Sequence, residues 1–199
     1  RDPATSGHSF RVASMSVKTA RILSDKKVAS SSEWALKETQ LKELELAGLL
    51  HDFGKVYIDP GVFLKAKKLY PYDMNNLLLR YSFLHRTLEL NFGSETERIR
   101  VLGELRERII QLNEPTVDSG DPERVIEEIL LKQEELSSPD LEGKEIPLLT
   151  DREIINLSIR RGSLNPEERR EIESHVEHTY SFVSKIPWPP EFKNIPQIT

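Results

Sequence analysis

Cysteine is absent from this chain of 199 residues. Its absence excludes disulfides, thiolate catalysis and cysteine-bound zinc, and it is typical of proteins that work in a reducing cytoplasm. No apolar run approaches the roughly 20 residues that a membrane helix needs, so we expect no membrane span in this segment. The formal net charge is -5 and no basic tail or lysine-rich stripe is present, which argues against DNA as a partner.

The alternation of apolar and polar residues that is typical of a β-strand is almost missing as well. Helical periodicity dominates the chain. Hydrophobic residues make up 37% of the chain and charged residues 31%, a balance that suits helices with heavily solvated outer faces. The sequence therefore predicts an all-α fold. The chain begins at Arg1 rather than Met and stops at Thr199 in a largely apolar stretch, so we expect a piece of a longer protein.

The N-terminal part predicts two helices. The first is expected to start near His8, with an apolar stripe formed by Val12, Met15, Ile22 and Leu23. A loop over 24–32 follows. The second helix is expected over 33–52, with a wide apolar face and Gly54 as its stop signal.

The middle of the chain predicts a helical insertion over 73–147, between an N-terminal part at 1–72 and a continuation at 148–199. Two charged amphipathic helices fill 73–114 with a break at 91–94, and a third covers 123–135. Their charged faces are expected to be solvated, with a homodimer surface or a lid as the alternatives.

A further helix has the clearest start signal. Asn165 is suited to the N-cap, Pro166 to the first helical position and Glu168 to the third, which together resemble a capping box. This helix carries His175 and His178, which lie at i and i+3 on neighbouring positions of one face.

Adjacent His51 and Asp52, followed by Gly54 and Lys55, form the strongest chemical signal. Hydrolysis of a phosphodiester needs an activated nucleophile and positive charge on the phosphate oxygens, and a pair of metal ions supplies both. The two oxygens of Asp52 suit a bridge between two metals, and His51 suits a terminal ligand. Lys55 would reach a phosphate oxygen.

Other residues are weaker candidates. His8 and His175 are predicted metal ligands, whereas His178 is expected to lie outside the ligand set and His85 to be structural. Arg11 would either bind phosphate or pair with an acidic neighbour. The basic corner Arg160–Gly162 is expected to be a solvated loop, with a phosphate contact as the alternative.

Three ordered stretches resemble the HD-GYP family, a branch of the metal-dependent HD phosphohydrolases that hydrolyses cyclic di-GMP in bacteria. They are Gly7–Ala13, Ala47–Val56 and Leu164–His175. The resemblance implies a helical HD-domain bundle in which His8, His51 and Asp52 hold the first of two divalent metals, iron or manganese. Asp52 would bridge, His175 would serve the second metal and Lys55 would contact the scissile phosphate.

The resemblance also implies a cyclic di-nucleotide substrate cleaved to linear pGpG, with GMP as a possible further product, and a sensory or receiver domain before Arg1. The His-His-Glu and Gly-Tyr-Pro motifs of the family do not occur here, so we expect this segment alone to be weakly active or inactive. Ala4 stands where some members carry a glutamate for a third metal, which favours two metals. Two alternatives stay open: another HD-type nucleotide phosphohydrolase, and a degenerate module that binds without turnover.

Overall fold

A computed structural model describes residues 3–24, 36–116 and 121–199, with side chains from Gly7 onward. Helices account for 69% of these residues and no strand occurs among them, so the predicted all-α fold is confirmed. An isolated antiparallel bridge joins Pro139 and Glu145. No helix in the described ranges is long and apolar enough to cross a membrane.

The helices follow one another closely along the chain. The α-helices are α1 Pro3–Ser24, α2 Glu38–Leu50, α3 Pro60–Phe63, α4 Pro71–Phe92, α5 Glu97–Leu112, α6 Pro122–Leu130, α7 Gln133–Leu136, α8 Asp151–Leu157, α9 Pro166–Glu173, α10 His175–Val183 and α11 Ile195–Ile198. Two short 3₁₀ helices cover Phe53–Tyr57 and Pro190–Phe192.

The chain divides into two compact units. Unit 1 comprises Arg1–Asp59 and Arg170–Thr199, and unit 2 comprises Pro60–Arg169. The boundary between them falls within α9. The predicted insertion over 73–147 lies inside unit 2, and its limits stay a prediction.

Unit 1 is built on a close crossing of α1 and α2. A Cβ atom added to Gly48 of α2 would lie 2.8 Å from the Ala13 Cα of α1, so only glycine permits this approach. A small core of Ala47, Val183 and Ile195 joins α2 to α10 and α11. The buried Glu43 accepts a hydrogen bond of 2.7 Å from the Asn194 backbone NH, which fixes the start of α11 to α2.

The predicted apolar stripe of α1 is wrong. Met15 and Ile22 are 67% and 62% exposed, whereas Ala13 and Ala20 are buried. The reason is the close crossing, because two helices at this distance admit alanine and glycine at their contact and exclude large side chains. The helix also extends back to Pro3 rather than starting near His8. The predicted loop over 24–32 and the predicted start of the second helix at Glu33 lie outside the described residues, apart from Ser24.

Unit 2 has the larger core. The buried residues of α4 recur at spacings of four, three and four, and those of α5 at three, four and three, so each helix turns one stripe inward: Leu77, Tyr81, Leu84 and Leu88 on α4, and Leu102, Leu105, Ile109 and Leu112 on α5. Both helices match the predicted pair. The third predicted helix, 123–135, is instead α6 and α7, and α8 was not predicted.

Unit 2 also holds a buried ion pair. The Lys65 ammonium, whose side chain is fully buried, donates hydrogen bonds of 2.7 and 2.8 Å to the two carboxylate oxygens of Glu168 and one of 2.9 Å to Asn156 Oδ1. Glu168 in turn accepts from the Asn165 backbone NH, and Asn165 Oδ1 accepts from the Glu168 NH, which is the predicted capping box of α9. The Glu168 carboxylate therefore both takes part in the cap of α9 and pairs with Lys65.

Candidate metal centre

Asp52 lies at a change of helix type. The second helix was predicted to run through Asp52, but α2 ends at Leu50 and His51 is its C-cap. The chain then tightens into the 3₁₀ helix Phe53–Tyr57, whose first hydrogen bond runs from the Lys55 NH to the Asp52 carbonyl oxygen at 3.0 Å. The Asp52 side chain is 7% exposed, so its carboxylate is held at the bottom of the site.

Three histidines from separate segments face the Asp52 carboxylate. His8 Nε2 of α1 lies 3.7 Å from Oδ2, and His51 Nε2 lies 3.2 Å from the same oxygen. His175 Nε2 of α10 lies 3.5 Å from the other oxygen, Oδ1. The carboxylate therefore presents one oxygen to His8 and His51 and the second oxygen to His175.

The ring orientations of two of these histidines suit metal binding. His51 Nδ1 lies 2.9 Å from the Gly48 carbonyl oxygen, and His175 Nδ1 contacts the Ile172 carbonyl oxygen. A neutral ring that donates its Nδ1 proton to a carbonyl carries a lone pair on Nε2, which is the arrangement seen in metal-ligating histidines. A lone pair directed at a carboxylate oxygen is repelled by it unless a cation lies between them.

The proximity and the chemistry of these donor atoms fit a divalent cation. Donor atoms of His8, His51 and Asp52 all lie within 4.8 Å of one another, close enough to bind one ion together. Imidazole nitrogen and carboxylate oxygen suit manganese, iron and zinc. His175 would complete a second position on the far oxygen of Asp52. The metal roles of the four residues stay predictions.

Lys55 places a positively charged side chain beside the Asp52 carboxylate. Its Nζ donates a hydrogen bond of 2.7 Å to Asp52 Oδ2, the oxygen that faces His8 and His51. The side chain is 32% exposed, so its end can reach past Asp52 toward the solvent side of the site. A phosphate group there would compete with Asp52 for the same ammonium.

Gly54 and Thr179 bring His175 to Asp52, and sequence reasoning missed this role. A Cβ atom added to Gly54 would lie 1.9 Å from the His175 carbonyl oxygen, so the 3₁₀ helix touches the α10 backbone directly. Thr179, which is fully buried, accepts a hydrogen bond of 2.8 Å from the Gly54 NH. Its hydroxyl lies 2.8 Å from the His175 carbonyl oxygen and 3.2 Å from the His51 carbonyl oxygen. The sequence signal for Thr179 was its position one turn after His175.

The remaining candidates lie outside this cluster. His178 is exposed and stacks on Tyr57 with ring centroids 5.1 Å apart, as expected of a residue outside the ligand set. Arg11 is exposed and has no acidic partner among the described residues, so the ion-pair alternative finds no support there. His85 is exposed on α4 of unit 2. Arg160 pairs with Asp121 at 3.5 Å and Glu123 at 3.2 Å, which agrees with a solvated corner.

Comparison with protein families identifies the fold around this cluster. A model described as HD domain matches residues 5–149, which is more than half of the chain, and includes His8, His51 and Asp52. The chain belongs to the HD domain family. A second HD domain model matches residues 145–199, which include His175. Comparison with curated proteins and with solved structures gave no significant match.

HD domains are typically phosphohydrolases and bind divalent metals. The all-α architecture agrees with an HD-domain bundle. The chemistry indicated for this HD domain is therefore metal-dependent phosphohydrolysis. The finer assignment to the HD-GYP branch stays a prediction.

Proposed function

We propose that this HD domain is a metal-dependent phosphodiesterase that hydrolyses cyclic di-GMP to linear pGpG, and pGpG in turn to GMP, in bacterial signalling. One observation carries the proposal: the buried Asp52 carboxylate is faced by three imidazole Nε2 atoms and one ammonium, all within 3.7 Å. The resemblance to the HD-GYP motifs selects cyclic di-GMP among the phosphate esters that such a centre would accept.

His8, His51 and Asp52 would hold one divalent ion, and Asp52 with His175 would contribute to a second. Bound ions of this kind acidify water and neutralise charge on phosphate oxygens. Iron or manganese is the proposed identity. The chain's own part is to present the two Asp52 oxygens to different histidines and to fix the His51 and His175 imidazoles by their Nδ1 contacts.

Lys55 has a separate role in the proposal. Its side chain is 32% exposed, and its ammonium would transfer its hydrogen bond from Asp52 Oδ2 to a non-bridging phosphate oxygen of the substrate. Such charge-assisted hydrogen bonds orient the phosphate as well as binding it. Arg11, one turn after the position of His8 on α1, would offer a second cation to the same substrate.

The cellular setting is proposed from the same resemblance. The substrate would be a cyclic di-nucleotide in the bacterial cytoplasm, and a sensory or receiver domain preceding this segment would regulate its hydrolysis. A homodimer is proposed as the assembly. DNA is not proposed as a partner, because the chain carries a formal charge of -5.

The experiment measures metal binding and chemistry separately. Mn²⁺ is titrated into the full 199-residue chain and followed by electron paramagnetic resonance. Asp52→Asn is expected to lower Mn²⁺ affinity by at least about 100-fold, since loss of an outer partner of a metal ligand alone costs about 10- to 100-fold. Asp73→Asn is the matched control, because Asp73 belongs to unit 2 and pairs with Arg152 at 3.6 Å.

Hydrolysis is then measured with protein in excess over substrate, because slow turnover is expected of this segment. Cyclic di-GMP, pGpG, GTP and ppGpp are compared, with products separated by chromatography. Faster cleavage of GTP or ppGpp would replace the proposal by a different HD-type nucleotide phosphohydrolase. Tight Mn²⁺ and nucleotide binding without any cleavage would make the binding module the correct function.

A further inference from the structure

Two stacked aromatic rings lie on the 3₁₀ helix that carries Lys55 and on α10 that carries His175, and they have no part in the metal or phosphate roles above. The rings of Tyr57 and His178 lie 5.1 Å apart with an interplanar angle of 29°. Tyr57 is 60% exposed and His178 is also exposed, so the outer face of the pair is open to a ligand. We propose that this pair is a stacking platform for a nucleobase of the substrate.

The position of the pair supports this role. Tyr57 follows Lys55 by two residues in the same 3₁₀ helix, and His178 follows His175 by three residues in α10. Residues three apart on a helix are neighbours on its surface. The platform therefore comes from the same two segments as the phosphate-directed ammonium and the metal-directed imidazole, and its His178 ring is a surface neighbour of His175.

Contacts between the 3₁₀ helix and α10 support the platform. Gly54 and Thr179 join the 3₁₀ helix to α10 through a hydrogen bond of 2.8 Å, and Phe53 stacks on Phe182 at 4.1 Å. These contacts fix the distance between the two backbones that carry Tyr57 and His178. A surface that is ordered before binding loses little entropy when a ligand arrives.

The exposure of the pair distinguishes it from ordinary packing. Phe182 packs against the core of unit 1, so the Phe53–Phe182 stack stabilises the fold. Tyr57 leaves more than half of its surface in solvent, so its stack on His178 buries little of the ring. Aromatic rings with one open face bind bases of either nucleic-acid type, because every base has a π-face.

The test uses two ligands that differ only by the base, and it rests on the proposed function for its choice of nucleotide. GMP and ribose 5-phosphate are titrated by calorimetry into the full chain with Mn²⁺ present. Stacking predicts that GMP binds roughly 5- to 100-fold more tightly than ribose 5-phosphate. Tyr57→Leu is expected to abolish this preference without changing the affinity for ribose 5-phosphate, and Tyr57→Phe is expected to retain it.

Tyr72→Leu is the matched control, since Tyr72 is 73% exposed in unit 2 and is expected to leave both affinities unchanged. Equal affinity for the two ligands, absence of GMP binding, or an equal loss of both in Tyr57→Leu would overturn the platform. A base preference that depends on Tyr57 in a chain that cleaves no nucleotide would retain the platform and reject the proposed activity. Cleavage of cyclic di-GMP that is unaffected by Tyr57→Leu would retain the proposed activity and reject the platform.

Discussion

Gly54 shows how one missing side chain sets the geometry of the centre. Asp52 and His175 are 123 positions apart in the chain, and their approach to 3.5 Å requires the 3₁₀ helix to lie directly against α10. The sequence identified Gly54 as a helix stop, which concerns only its own segment. Its contact with the His175 carbonyl is a tertiary property that no local pattern encodes.

Gly54→Ala is therefore expected to be strongly destabilising. The added methyl group would lie 1.9 Å from the His175 carbonyl oxygen, and neither backbone can move without displacing a candidate ligand. Overpacking of this kind costs about 1–3 kcal/mol and occasionally more, and we expect a value near the upper end. The free energy of unfolding in urea measures it.

Gly103→Ala is the matched control. Gly103 lies inside α5, and its added methyl group meets nothing within 4 Å. Alanine is favoured over glycine in a helix by roughly 0.5–1 kcal/mol, so this variant should be slightly more stable than the parent. Equal effects of the two substitutions would contradict the close approach at Gly54.

Sequence reasoning at the residue scale selects side chains by their own chemistry. His8, His51, Asp52 and His175 were all proposed, and the structure brings them together. Thr179 was missed because its position one turn after His175 does not by itself show that it is buried, although its hydroxyl contacts the backbone on both sides of the centre. The proximity of these side chains agrees with the prediction, their metal roles stay predictions, and the contacts that hold them in place were not predicted.

At the scale of elements, long helices with one apolar stripe were predicted well and close crossings were not. The α4 and α5 helices bury large residues at helical spacing, so their pattern is visible in the sequence. In α1 the buried face consists of alanines, which hydrophobicity patterns weigh lightly. The large residues Met15 and Ile22 misled the prediction because they lie on the opposite, exposed face.

The start of α9 makes a prediction about pH. Burial opposes ionisation of Glu168, but the hydrogen bonds from Lys65 and from the Asn165 backbone prevail and hold the pKa of Glu168 below its ordinary value of 4.5. A carboxyl group whose pKa is lowered by folding contributes stability that is complete above about pH 4.5 and is lost as the pH falls below it. Unit 2 should therefore lose stability below pH 4.5.

Glu168→Gln is expected to remove this pH dependence and to lower stability at pH 7. It leaves the buried Lys65 ammonium without its carboxylate, which costs about 3–5 kcal/mol for a buried pair. Urea unfolding between pH 3.5 and 7 measures both effects.

Glu97→Gln provides the comparison, because the Glu97–Arg100 pair on α5 is exposed on both sides. Exposed ion pairs contribute little to stability, so this variant should unfold as the parent does at every pH. If Glu168→Gln behaved in the same way, the buried pair would not be anchoring the start of α9.

At the scale of the whole molecule, the candidate centre is assembled from distant parts of the chain. His8, Asp52 and His175 come from α1, from the end of α2 and from α10, and all belong to unit 1. An unfolded chain does not hold these side chains together. A metal ion should therefore bind the native state and favour folding of unit 1.

We expect Mn²⁺ at 100 times its dissociation constant to stabilise the native state by about 2.7 kcal/mol. Hydrogen exchange should locate the effect: amide protection should rise in residues 36–59 and 170–199, whereas the cores of α4 and α5 should be unchanged. EDTA should reverse the rise, and Asp52→Asn should show none. An equal rise throughout 60–169, or one that survives in Asp52→Asn, would mean that the ion binds elsewhere, because protection follows the unit that the ligand stabilises.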